Sequence, residues 1–140
     1  AVSLRAVPTL RCVQPVGCQP LGRAFDKMTL DRLSAAEAGQ NRSAYMWAWD
    51  NPASVAHGIL DDETYDWVAL CDEMARSGGG TLAVADDAIE RAHAMARQEH
   101  GVHVCHTGAA GLAGMMLKRT QAPEAAGAPP DLVILTGLHR

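Results

Sequence analysis

Apolar positions along the chain alternate between short runs and helix-spaced stripes. Leu10 to Gln14 is a short apolar run that predicts a strand, and Pro15-Val16-Gly17 predicts the turn after it. Leu21, Ala24, Phe25 and Met28 then recur at i, i+3, i+4 and i+7, the spacing of one helix face. Thr29 stands as the cap of a second short helix through about Ala38, stopped by Gly39. The polar stretch from Gln40 to Pro52, with Trp47 and Trp49 in packing or interface roles, reads as irregular connecting structure.

The second half repeats the alternation. A helix starting at Asp61 or Asp62 carries the stripe Trp67, Leu70, Cys71 and Met74, and Gly78-Gly79-Gly80 ends it. Asp61-Asp62-Glu63 favours that helix N-terminus through the dipole and needs no catalytic explanation. Thr81 to Ala85 predicts a strand. Asp87 and Glu90 have the capping-box spacing for a helix with Ile89, Ala92 and Ala96 inside, closed by Gly101. Val102 to Cys105 predicts a third strand, and Gly108 to Arg119 a small-residue helix with Ala109, Leu112, Ala113 and Met116 on one face. Pro129-Pro130 leads into the strongest strand pattern, Leu132 to Thr136.

Strands alternating with helices predict an α/β protein of three layers, a mostly parallel sheet with helices on both faces. Ligands in such sheets gather beyond the carboxyl ends of strands, which directs attention to Gln14, Cys105 and Thr136.

Composition narrows the function classes. The 140 residues are 48% hydrophobic and 20% charged, enough for a core in one domain or a large piece of one. Twelve basic against 16 acidic side chains give a net charge of −4 with no basic cluster, which argues against nucleic acid and anionic membrane as partners. One Phe and two Tyr leave little for base stacking. Cys12, Cys18, Cys71 and Cys105 form no CxxC pair, so reduced thiols and a cytoplasmic setting are expected. No run reaches the roughly 20 apolar residues of a membrane span. The apolar run from Ala1 is broken by Arg5 and Pro8, unlike a signal peptide, and the start without Met is consistent with a processed or excised piece.

Two segments carry more. Gly101-Val-His-Val-Cys-His-Thr-Gly-Ala-Ala-Gly-Leu-Ala-Gly114 and Leu132-Val-Ile-Leu-Thr-Gly137 resemble the last part of threonine synthase and related threonine/serine dehydratase-like lyases among the fold-type-II pyridoxal-phosphate (PLP) enzymes. In those enzymes a strand enters a helix rich in small residues, and a final strand ends in Thr-Gly or Ser-Gly. Arg11 to Phe25, Ser54-Val-Ala-His-Gly-Ile59 and Gly80 to Asp87 resemble further segments in the same order, so the resemblance spans nearly the whole chain. It implies the C-terminal portion of a tryptophan-synthase-beta-like PLP fold, residues 1–140 being one piece of the large domain. It also implies a PLP-dependent lyase or synthase of amino-acid metabolism, performing elimination or replacement on an amino-acid substrate, commonly as a homodimer.

The implied chemistry is specific. PLP in this family is held by a Schiff-base lysine, and its ring serves as an electron sink. A hydroxyl or thiol, not a carboxylate, meets the ring nitrogen, and Thr136 matches that position; Gly137 lets backbone approach the ring. Cys105, His106, Thr107 and Gly108 stand at the cofactor-side start of the small-residue helix, and of these Thr107 matches the family. Many relatives carry Glu-Pro at Cys105-His106, and Ser at Gly108, so the particular reaction does not carry over. The Schiff-base lysine and the phosphate loop belong to the family's N-terminal portion. The chain's two lysines, Lys27 and Lys118, stand on polar helix faces in no matching motif. The fragment alone is therefore expected to be inactive and to require that portion. A non-catalytic α/β module for binding or assembly, descended from such an enzyme, is the alternative.

Other candidates are weaker. Ser77-Gly-Gly-Gly80 follows a helix and precedes a strand, the reverse of a phosphate cradle, and reads as a helix stop. His103, Cys105 and His106 form an H-x-C-H cluster without an evident fourth ligand, so no metal is expected there, and a half-buried structural role fits them as well. His57 faces the active site if the family order holds. No GxSxG, H-x-E with PCxxC, or helix-opening GxGxxG occurs.

Overall fold

The computed structural model describes residues 7–121 and 130–137. Strand β1 (Arg11–Pro15) pairs in parallel with β2 (Gly80–Val84), Arg11 opposite Gly80 and Pro15 opposite Val84. A parallel pair needs a long crossover. Here it contains α1 (Pro20–Leu30), α2 (Ala35–Gln40), α3 (Arg42–Tyr45), a 3₁₀ turn (His57–Ile59) and α4 (Trp67–Arg76). Helices α5 (Asp86–Gln98) and α6 (His106–Gln121) follow.

Successive strand residues point to opposite faces, and the two cores divide accordingly. Cys12 packs against a cluster of Leu21, Ala24, Met28, Trp67, Cys71 and Met74 from α1 and α4. Val13, its neighbour, packs against Ile89, Ala92, Ala96, Ala109 and Ala113 from α5 and α6. Helices thus cover both faces of a mixed α/β unit, as expected, but the sheet among the described residues has two strands. Within the first core Trp67 stacks on Tyr45, ring centroids 6.4 Å apart. Burial pushes the Cys71 thiol up to about 12.

Several boundaries differ from expectation. Thr29 does not cap a helix: its hydroxyl donates to the Phe25 carbonyl inside α1. The chain instead turns at Arg32, which takes a left-handed conformation (φ 56°), with Leu33 N–H donating to Met28 O and Arg32 N–H to Thr29 O. Ser34 then caps α2 in a capping box with Glu37, and the helix runs one residue past Gly39. Arg42–Tyr45 forms a single helical turn within the stretch expected to be irregular. The acidic run lies outside α4, which begins at Trp67. Its groups bind the crossover: Asp61 O accepts from Cys18 Sγ, Asp62 O from Trp49 N–H, and Glu63 pairs with Arg42. Asp87 and Glu90 make no capping box; Asp87 bonds Arg91 one turn on.

The two later strands are not built. Between Val102 and Cys105 only Val104 makes a bridge, and Val104 N–H donates to Val102 O, a tight curl rather than an extended ladder. The segment 130–137 has no strand either. It lies along α6, Val133 against Gly111, with Leu132 and Ile134 facing outward. Strand pattern becomes strand only where a neighbour supplies the hydrogen bonds. Pro129 and the run at residues 1–6 lie outside the described residues.

Trp47 and Trp49 flank one guanidinium, Arg23, at 3.7 and 5.1 Å from their ring centroids, which binds the crossover to α1. No helix of the described residues is long and apolar enough to cross a membrane.

Candidate functional site

The site grows from the start of α6. Small residues let this helix lie close to its neighbours: Gly108, Ala109, Ala110, Ala113 and Gly114 are buried. Ala109 N–H donates to Cys105 O, the first helical bond. The peptide N–H groups of the first turn therefore give this end a partial positive charge.

Gly137 is brought directly onto that turn. Its carbonyl accepts from Cys105 N–H at 3.0 Å. A Cβ on Gly108 would fall 2.7 Å from Gly137 N and O, and one on Gly137 would fall 2.4 Å from Cys105 Sγ. Backbone thus meets backbone where both residues must be glycine. Thr136, the preceding residue, is exposed, and its hydroxyl has no partner among the described residues.

Thr107 does something the sequence did not reveal. Its Oγ1 accepts from Gly58 N–H at 3.0 Å, fastening the segment 54–59 to α6. The other end of that segment is fastened to the sheet. Ser54 Oγ donates to Asp86 at 2.5 Å, Val55 N–H donates to the other Asp86 oxygen, and Ala56 N–H donates to Ser54 Oγ. Asp86 opens α5 two residues past the end of β2, and Ala53 N–H donates to Gly17 O just after β1. The segment therefore crosses the carboxyl ends of both strands, the side on which ligands of α/β sheets collect. His57, within it, is exposed.

The structure gathers Cys105, His106, Thr107, Gly108, Thr136 and Gly137 at one place. His106 turns its ring to α5, where it lies 4.2 Å from the ring of His93. His93 carried no signal in sequence beyond being a histidine on a helix. Among the described residues no group of three or more His, Cys, Asp or Glu is arranged to hold a metal. Neither lysine belongs to the site. Lys27 pairs with Asp31 on α1. Lys118 pairs with Asp131 at 2.8 Å and stands roughly 18 Å along α6 from its start at about 1.5 Å per residue.

These features define a class of fold: a parallel α/β layer whose ligand-facing end is walled by a small-residue helix and a Thr-Gly turn. Among solved structures, the threonine deaminase of T.th. has that fold, superposing on 81% of this chain with a TM-score of 0.59 at 16% identity. The chain spans 34% of the length of that enzyme. At that identity the likeness shows the fold alone and does not single out threonine synthase. No protein-family profile and no curated protein matches the sequence.

Proposed function

We propose that this chain is the C-terminal portion of a PLP-dependent lyase acting on a hydroxy- or phospho-hydroxy amino acid, with the cofactor-bearing lysine supplied by a segment beyond residues 1–140. The observation that carries this reading is the seat of Gly137 on the first turn of α6, which brings the exposed residue before it, Thr136, to the start of that helix. The donor set fits the ring-nitrogen end of PLP. A neutral hydroxyl can donate to an unprotonated pyridine nitrogen. It does not fit the covalent end, since both lysines are engaged elsewhere.

PLP, when bound, draws electrons from the substrate α carbon. The chain's own part is to hold the ring nitrogen by Thr136, to wall the pocket with the turn from Cys105 to Gly108, and to fix the segment 54–59 over it through Thr107. A cytoplasmic homodimer is the assembly proposed for the complete enzyme.

Two measurements test this. The 140-residue chain incubated with PLP and reduced with borohydride is expected to carry no pyridoxyl group on Lys27 or Lys118; a labelled lysine overturns the reading. In the longer protein, Thr136→Ser is expected to keep the cofactor absorbance and oxo-acid release from hydroxy amino acids. Thr136→Asp is expected to shift the absorbance and reduce release about 10²-fold or more, the scale of an electrostatic contact at a reacting group. Absence of release, or indifference to both substitutions, overturns it.

A further inference from the structure

A groove of about 370 Å³ lies between the second half of α5 and the connector into α6, lined by His93, Ala94, Arg97, Gln98 and His103. It is separate from the turn at Gly137 and does not rest on the cofactor reading. His93 and Arg97 are one helical turn apart, so they share a face of α5. His103 approaches from the connector. The His106 ring lies tilted against that of His93, centroids 4.2 Å apart, and joins it to the start of α6.

The lining has one chemical bias. Arg97 offers up to five N–H donors, the exposed His103 imidazole at least one, and Gln98 an amide NH₂. Among the described residues no carboxylate lines the groove. Arg97 has no ion pair among the described residues, whereas Arg42, Arg76, Arg91 and Arg119 each meet an acid. Its position in the last turn of α5 suits the helix dipole and leaves most of its donors free. Donors converging from a helix and a connector match a tetrahedral oxyanion, with several acceptor oxygens, better than a planar carboxylate. We infer that this groove binds a phosphate group, free or on a small molecule, with Arg97 as the principal contact, His103 and Gln98 as flanking donors, and the His93 ring as a neighbour that reports on binding.

The test titrates the 140-residue chain with inorganic phosphate at fixed ionic strength, following the imidazole resonances by NMR. Saturable shifts at His93 and His103 are expected, with the dissociation constant raised about tenfold by Arg97→Gln, the scale for a charge-assisted contact at an open site. His103→Gln, also at an exposed position, is expected to weaken binding less. Arg91→Gln is expected to leave it unchanged, because that guanidinium already bonds Asp87. Phosphoserine titrated in parallel separates the sources: tighter binding than inorganic phosphate assigns a phosphorylated small molecule, and equal binding assigns the free ion. Shifts that grow linearly without saturating, or that saturate equally in Arg97→Gln, overturn the inference.

Discussion

Ser54 donates its hydroxyl to the Asp86 carboxylate at 2.5 Å, and the same oxygen of Ser54 accepts the N–H of Ala56. Ser54 is 8% exposed, so water does not readily replace either bond. One side chain thereby couples the loop over the strand ends to the first residue of α5. Ser54→Ala leaves the Ala56 N–H unpaired in a buried place and is expected to cost about 1–3 kcal/mol of unfolding free energy. A urea titration checks this: the midpoint should fall with the slope unchanged. An unchanged midpoint would show that the loop is held well enough by Thr107, Gly17 and the Val55 N–H bond to Asp86.

Gly114 sets how closely α6 approaches β1. A Cβ there would meet Val13 Cγ2 at 2.4 Å and Cγ1 at 3.0 Å. Gly114→Ala overpacks the second core and is expected to destabilise by about 1–3 kcal/mol, even though alanine favours the helix itself. Truncating the opposing side chain should relieve the clash, so Gly114→Ala and Val13→Ala combined should cost less than the sum of the two alone. Additive losses in thermal melts would place the cost elsewhere.

What could be read in the sequence depended on where each element finds its partners. The stripes Trp67-Cys71-Met74 and Ile89-Ala92-Ala96 are buried as their spacing predicts, because a helix satisfies its backbone internally and needs only one apolar face. Residues 132–136 have a stronger strand pattern than β1, yet form no ladder among the described residues, because a strand depends on neighbours that periodicity does not supply. The same contrast holds at the site. The candidate positions Cys105 to Gly108 and Gly137 came from family resemblance, whereas the Gly58–Thr107 bond joins positions 49 residues apart and the tilted His93–His106 ring pair joins two separate helices. Nothing in the local sequence of either partner marks them.

Asp31 ties two elements of the first core. Its carboxylate accepts from Lys27 Nζ at 2.7 Å and from Tyr45 Oη at 2.8 Å. The Lys27 bond, then the Tyr45 bond, hold the Asp31 carboxyl below the usual carboxylate range. A carboxyl depressed in the folded state stabilises fully above its unfolded pKa and loses that contribution as pH falls through the folded value. Asp31 holds Lys27 and Tyr45 above their ordinary values, so the same contacts weaken again as pH climbs through those. Asp31→Asn is therefore expected to lower the melting temperature at pH 7, with the gap to the parent narrowing as pH falls below the ordinary carboxylate range and closing once it passes the depressed folded value. A gap that persists undiminished in acid would assign the loss to packing and not to charge.

Arg32 ends α1 in a conformation that suits glycine. Its φ is 56°, and the paired bonds Leu33 N–H to Met28 O and Arg32 N–H to Thr29 O repeat the arrangement at the end of α4. There Gly78 has a φ of 68°, with Gly79 N–H bonded to Met74 O and Gly78 N–H to Ala75 O. A side chain with Cβ in the left-handed region costs about 1–2 kcal/mol, partly offset when glycine is introduced because the unfolded chain gains freedom. Arg32 is exposed and makes no ion pair among the described residues, so little is lost with its side chain. Arg32→Gly is expected to stabilise the protein by up to about 1 kcal/mol, whereas Gly78→Arg at the matching position should destabilise it by a similar amount or more. Calorimetric melts of the two variants provide the check. A lower melting temperature for Arg32→Gly would mean that the Arg32 side chain contributes more than its backbone conformation costs.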